Sequence, residues 1–286
     1  MKSNKDFVDS SFLLYNAFKD NKPLMAGKIG CSELNCLYNY FKAKHHNQNP
    51  IQWFPNVVQE TYINTGVFPQ TEEARITFCE EMNEAVKYLD YAVTWNGNFP
   101  DFEKKFIAIN NSKVEYIDLR SLEPFYFGLP WTEHLKDKNV LVISPFTDTI
   151  KKQYKRRDKI WKDPRVLPEF NLITIYHPPS KAISNKNYYK SWTEMVNDIK
   201  DIMSSIEFDV CIVGTGASSL PLCAHAKKLG KQAMHLGGPT QILFGIKGKR
   251  WDENNIISKF YNEFWVRPSQ DEIPENNKFV EGGCYW

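Results

Sequence analysis

The sequence has no excess of charge of either sign: 36 lysines and arginines face 34 acidic residues, a formal net charge of +2 over 286 residues. That balance excludes a generally polycationic protein, although it is compatible with a local basic patch. No apolar run approaches the roughly 20 residues a membrane-spanning helix needs. The first 30 residues mix charges and hydrophobes without the apolar stretch of a secretory signal, so a cytoplasmic protein is expected. Cysteine is sparse, at positions 31, 36, 79, 211, 223 and 284, with no CxxC pair among them. Free buried thiols are therefore expected rather than disulfides or a structural zinc site. HExxH and GxSxG are both missing, which removes the zinc peptidases and the nucleophile-elbow hydrolases. Internal repeats and Gly/Ser linkers are missing too, so nothing divides the chain. What is present is a globular composition, 42% hydrophobic and 14% aromatic, which excludes wholesale disorder.

Hydrophobic periodicity then sets out the elements. Phe7, Val8, Ser11, Phe12, Tyr15 and Phe18 recur at helical spacing within 5–20. A short apolar run from Leu24 to Ile29 leads into a turn at Gly30-Cys31-Ser32. A second helix follows, with Leu34, Leu37, Tyr38 and Phe41 on one face. Residues 45–70 carry three prolines and no clear period, and read as a long surface segment that can cover a site. A helix around 71–90 and a strand over 91–95 come next. Beyond residue 114, apolar runs at 114–119, 139–146, 171–179, 208–216 and 231–238 alternate with helical stretches at 147–161, 191–206 and 218–230. Such alternation predicts an α/β, Rossmann-like fold, with a mostly parallel sheet and helices on both faces. It is read as one domain over 1–286, with an irregular C-terminal tail from about 266.

Open α/β sheets bind ligands beyond the carboxyl ends of their strands. Here those ends are Gly30-Cys31, Ser144-Pro145-Phe146, His177-Pro178, Gly214-Thr215-Gly216 and His235-Leu236-Gly237-Gly238. The turn at Gly214, Thr215 and Gly216 follows a strand and opens a helix. It suits an anion at a helix N-terminus, or else is simply a tight turn with no ligand. A dinucleotide site wants an acidic residue about 20 positions later to hold the ribose, and His235 stands there instead. The same mismatch weighs against a methyltransferase. The segment from His235 through Gln241 to Arg250 and Trp251 combines glycine pairs with cations and an indole, groups that suit a diphosphate and a ring. Its Ile242, Leu243, Phe244 and Ile246 read as core. Helix 147–161 carries a basic stripe (Lys151, Lys152, Lys155, Arg156, Arg157, Lys159), read as a solvated face. Without any nucleic-acid-binding motif, no nucleic-acid partner is expected.

The residues LMAGKIGCSEL at 24–34, with FDVCIVGTG, SSLPLCAHAKKLG and KQAMHLGG in that order, resemble the GT-D-type glycosyltransferases. That family is Rossmann-like. Its N-terminal hallmark is an Arg-(Ile/Phe)-Gly-Asp-Gly-Glu turn, whose Asp-x-Glu pair meets the nucleotide sugar together with a divalent metal. Here the slot reads Lys28-Ile29-Gly30-Cys31-Ser32-Glu33, so Glu33 matches and Cys31 replaces the Asp. The resemblance implies a nucleotide-sugar donor, a glycan or other hydroxyl acceptor, and a manganese or magnesium ion held at Glu33. A thiol is a poor ligand for a hard cation, so the substitution at Cys31 puts that ion in question.

Glycosyl transfer needs positive charge on the departing diphosphate, a base for the acceptor hydroxyl and aromatic platforms for sugar rings. Glu33 is the candidate catalytic residue and metal ligand; as a plain structural feature it would be an acid in a helix's first turn. Candidate donor-binding residues are Lys28, Gly30, Cys31, Ser144, Gly214, Thr215, Gly216, His235, Gly237, Gly238, Gln241, Arg250 and Trp251. Trp53, Trp95, Trp251 and Trp265 are candidate sugar platforms. Two other functions remain open: a catalytically silent glycan- or nucleotide-binding domain, and a small-molecule methyltransferase.

Overall fold

A computed structural model of the chain describes residues 5–97, 99–126 and 128–286. Among the described residues seven strands form: β1 (Leu24–Lys28), β2 (Tyr91–Val93), β3 (Glu115–Ile117), β4 (Asn139–Ser144), β5 (Asn171–Tyr176), β6 (Val210–Val213) and β7 (Gln232–His235). All pair in parallel within one sheet of order β3-β2-β1-β7-β6-β4-β5. This is the α/β, Rossmann-like architecture that the alternating pattern predicts. Strand alternation sorts the core into two layers. Leu141, Ile143, Cys211 and Val213 bury one face against Leu34, Leu37, Phe78, Trp192 and Leu220. Val140, Val142, Val210 and Ile212 bury the other against Leu14, Phe18, Trp131 and Phe244.

The first layer draws on α2 (Cys31–His45), α3 (Pro55–Ile63), α4 (Glu72–Ala85), α5 (Pro100–Asn110), α7 (Trp192–Ser204) and α8 (Ser219–Lys228). The second draws on α1 (Phe7–Lys19), α6 (Thr147–Tyr154), α9 (Pro239–Leu243) and α10 (Lys249–Asp252). Two helices were not legible in the pattern. The segment read as a loop contains α3, which starts on Pro55, a residue suited to a first helical position because its missing N–H has no partner there anyway. Another helix, α5, also opens on a proline, Pro100. The basic helix is shorter than its charge run: α6 stops at Tyr154, and a single 3₁₀ turn covers Arg157–Lys159. Lys151 pairs with Asp148 at 3.8 Å and Arg157 with Glu169 at 2.7 Å, so part of the stripe is neutralised locally.

Topology fixes where a ligand can enter. After β4 the chain turns outward to β5, and after the adjacent β6 it turns the other way, to β7. The two loops diverge and leave a crevice between them, the switch point of an open α/β sheet. The C-terminal residues close over this edge. They are irregular, with 3₁₀ turns at Gln270–Glu272 and Asn277–Phe279, but they are a packed wall rather than a tail. Glu272 accepts the amides of Asp148 (2.8 Å) and Thr149 (3.2 Å) at the start of α6. Its carboxylate thus caps that helix end and complements its dipole. Gln241 Nε2 donates to the Tyr285 carbonyl at 2.8 Å, and Trp286 Nε1 donates to the Glu272 carbonyl at 3.1 Å.

Candidate functional site

A cavity of about 120 Å³ opens at the switch point, beyond the carboxyl ends of β4, β5, β6 and β7. At about 30 Å³ of liquid volume per water it holds roughly four waters, room for a small ring. Ser144, Thr215, Gly214, Gly216, Gly237, Gly238 and Gln241, all expected at the site, line it together with His177. Thr65 and Gly66, just past α3, form one wall, and Tyr285 and Trp286 of the C-terminal segment form another. Among the described residues its lining carries no Lys, Arg, Asp or Glu. Two of its residues, Thr240 and Gln241, are buried and carry side-chain oxygens with no hydrogen-bond partner. Gln241 spends both Nε2 protons on the carbonyls of Lys247 and Tyr285, at 2.8 Å each, which leaves Oε1 as a bare acceptor. A buried acceptor in this state gains from a ligand donor. His177 lies beneath, its Nε2 2.9 Å from Ser218 Oγ, and burial pushes it down to about 4, so it is neutral.

The glycine turn after β6 is less open to an anion than its sequence suggests. Thr215 donates its amide to Ser219 Oγ at 3.0 Å, and Ala217 donates to the Thr65 carbonyl at 3.2 Å. Gly214 answers a different need: a Cβ there would stand 2.7 Å from the Gly237 carbonyl oxygen and 2.7 Å from Thr240 Oγ1. The glycine therefore lets the turns after β6 and β7 touch. Gly214→Ala is expected to cost about 1–3 kcal/mol of stability in ligand-free protein, as overpacking does. Urea unfolding of the variant without ligand is the check, and an unchanged midpoint would refute this role.

Next to the cavity lies a charged edge built on β1. Lys28 is half-buried at the end of β1, and burial lowers its ammonium below the usual lysine range, while Glu123 pulls it back upward. Its Nζ stands 5.3 Å from the centroid of the Trp95 ring. Arg250 adds a second cation, stacked at 4.9 Å on Tyr285 and paired with Glu281. Glu33 occupies the first turn of α2 and folds back over Gly30, where a Cβ would be 2.0 Å from its Oε2. Burial raises the Glu33 carboxyl to about 7. Glu123, not among the residues expected from the sequence, lies just after the 3₁₀ turn Leu119–Leu122 that follows β3; burial raises it too, to about 7. Its signal was available, because it stands shortly after the strand run at 114–119, on the same sheet edge.

Cavity and charged edge meet at the turn after β7. Gly237 has φ +70°, and a Cβ on it would be 3.8 Å from Lys28 Cε and 3.5 Å from His235 Nε2. On Gly238 a Cβ would reach Trp251 and Tyr285, each at 3.2 Å. Glycine fits the left-handed backbone of position 237, and its lack of a side chain keeps Lys28 close to the cavity wall. His235 is buried and pushed down to about 3 by burial, with Lys28 adding to the effect; it is neutral, and its Nδ1 has no partner.

Other candidates separate. Cys31 is exposed, unlike the other five free cysteines, which are buried as expected. Partial desolvation of its thiol and the nearby Glu33 hold Cys31 above the ordinary thiol range, the wrong direction for a metal ligand. No three His, Cys, Asp or Glu side chains converge as metal ligands among the described residues. With Glu33 folded over Gly30, this donor set does not fit a hard divalent cation. Among the tryptophans, Trp251 and Trp265 are buried in the second core layer, and Trp53 is held under the Arg75 guanidinium at 4.8 Å. Trp95 alone of the four is exposed.

No family model matches the chain, and no curated protein matches its sequence. A solved structure described as a selenomethionine-substituted domain of unknown function 1792 (DUF1792) is similar at 12% identity, over 80% of this chain and 83% of that one, with a TM-score of 0.38. Likeness at that level assigns no function. Fold and site together define an α/β, Rossmann-like protein with a ligand-sized cavity beside a cationic edge. No described helix is long and apolar enough to cross a membrane.

Proposed function

We propose that the chain is a glycosyltransferase that moves a sugar from a nucleotide-sugar donor to a hydroxyl acceptor. One observation carries this reading: a carboxylate raised to about 7, Glu33, shares one sheet edge with Lys28 and Arg250, beside an uncharged cavity. The cavity, with its unpartnered Gln241 and Thr240 oxygens, takes the neutral end of the donor. Lys28 and Arg250 neutralise the diphosphate, the role that the Cys31–Glu33 pair does not fit through a metal. As the bond from the anomeric carbon to the diphosphate oxygen breaks, the acceptor oxygen bonds to that carbon. Its proton passes to the Glu33 carboxylate, and a nucleoside diphosphate leaves. The GT-D resemblance of residues 24–34 supports the same assignment for Glu33.

A second reading has its own observation. A Glu33 carboxylate folded over Gly30 is also what a helix cap does, so a silent glycan- or nucleotide-binding domain accounts for that contact. Methyl transfer has no comparable support, since neutral His235 stands where a ribose-holding acid would be needed. A panel of UDP-, GDP- and TDP-sugars separates these readings, scored first for thermal stabilisation and then for release of nucleoside diphosphate. Stabilisation with release supports transfer, and stabilisation without release supports the binding domain. If no nucleotide or nucleotide sugar shifts the melting temperature, the transferase reading is abandoned.

A further inference from the structure

From the end of β2 we infer a carbohydrate-binding platform, formed by Trp95 with Asn96, that holds the ring of a sugar acceptor beside Glu33. The inference rests on the transferase reading for its acceptor role, but its binding chemistry stands apart from it. Of the eight tryptophans Trp95 is the exposed one, at 41%. An indole is usually buried, because its large apolar area gains most from leaving water. This one is instead fixed in place at the rim. Its Nε1 donates to the Ile29 carbonyl at 2.9 Å and its backbone amide to Glu103 Oε2 at 3.0 Å. Ile29 precedes Gly30, over which Glu33 folds, so the anchor of the ring is part of the turn that carries the carboxylate. Lys28 stands over the ring at 5.3 Å. A Cβ on Gly97, two residues on, would meet nothing within 4 Å.

Asn96 supplies a second, independent observation. It is 4% exposed, and its Nδ2 donates to the Ile29 carbonyl at 3.1 Å and to Glu103 Oε1 at 2.6 Å. Those two acceptors fix the orientation of the amide and leave Oδ1 with no partner. Glu103, fully buried in α5, thus has the task of holding both residues. A rigid aromatic face next to a bare carbonyl acceptor suits a ring with C–H bonds on one face and hydroxyl donors at its edge, which is a pyranose. The sheet order also sets the platform apart from the cavity: β2 and β7, the nearest strand of the cavity, lie two strand spacings apart, about 10 Å. Donor and acceptor would then approach Glu33 from opposite sides.

Saturation-transfer NMR on the full chain, with methyl glycosides of glucose, galactose, mannose and N-acetylglucosamine, tests the platform directly. At least one glycoside is expected to bind, and Trp95→Ala to weaken it roughly tenfold, a loss in keeping with one aromatic contact. Should Trp95→Ala fail to fold, Trp95→Phe keeps a ring at the site. There the sugar-induced change in tryptophan emission expected of the wild type should vanish. Binding of the glycosides with unchanged affinity and emission in both variants would overturn the inference, and so would failure of every glycoside to bind the wild type. Trp95-dependent sugar binding without any response to nucleotides would sink the transferase reading and leave the platform standing.

Discussion

Glu33→Gln is expected to lower the rate of nucleoside diphosphate release in the presence of acceptor by about 10²–10⁴, the usual worth of a positioned base. The substitution keeps the size and the hydrogen-bonding edge of the side chain and removes its capacity to take a proton. Donor-induced thermal stabilisation should therefore survive it. The pH profile sharpens the test. With the Glu33 carboxyl raised to about 7, the active ionised form accumulates as pH rises through that value. Wild-type rate should climb up to and through about pH 7, and the Gln variant should lose that limb. Glu123 is raised to a similar value, so Glu123→Gln is the necessary companion: the limb should persist there if Glu33 is the base. The same shift acts on stability. The folded state holds its proton more tightly than the unfolded chain, so this group's contribution falls as pH rises from about 4.5 to about 7. Glu33→Gln should consequently gain stability relative to the wild type at pH 8 and gain none at pH 4. A variant rate within a few-fold of the wild type would leave Glu33 as a helix cap.

The sheet and the position of Glu33 were legible because they depend on local pattern. The β4 residues Asn139–Ser144 form a near-continuous apolar run, as a strand buried on both faces must, and glycine or proline follows most strands. The strands are shorter than the runs read for them, since Pro145, Pro178 and Gly214 prolong an apolar stretch after strand pairing has stopped. Two helices escaped because prolines mark a loop by composition while also starting α3 and α5. Contacts between distant residues were beyond reach. Gln241 holds Tyr285, 44 positions away, and Glu272 caps a helix 124 positions before it. No periodicity records such pairings, so the C-terminal wall of the cavity could not be foreseen. Exposure was equally hidden: Trp95 and Trp265 are alike as letters, yet one is pinned at the rim and the other packs against Trp161, with ring centroids 5.1 Å apart.

Lys28→Met is expected to weaken binding of a nucleoside diphosphate by roughly 10- to 150-fold, the equivalent of losing one charged hydrogen bond. Methionine matches the length of the stem, so the packing of Lys28 Cε against the Gly237 turn is largely kept and the loss reports the charge. Arg250→Met should weaken binding less, because its guanidinium already serves Glu281 and the Tyr285 ring. Salt provides an independent measure. Wild-type affinity should fall as ionic strength rises, and the Lys28→Met variant should respond more weakly, having one fewer cation to screen. Titration calorimetry with UDP, GDP and TDP at two salt concentrations yields both quantities. Gly214→Ala belongs in the same series as a contrast. If the phosphates lay on the glycine turn after β6, that variant would lose affinity as severely as Lys28→Met. With the Thr215 and Ala217 amides already bonded within the protein, it should instead lose stability and keep most of its affinity. Equal affinity in wild type and Lys28→Met would place the diphosphate elsewhere and remove the electrostatic basis of the proposed transfer.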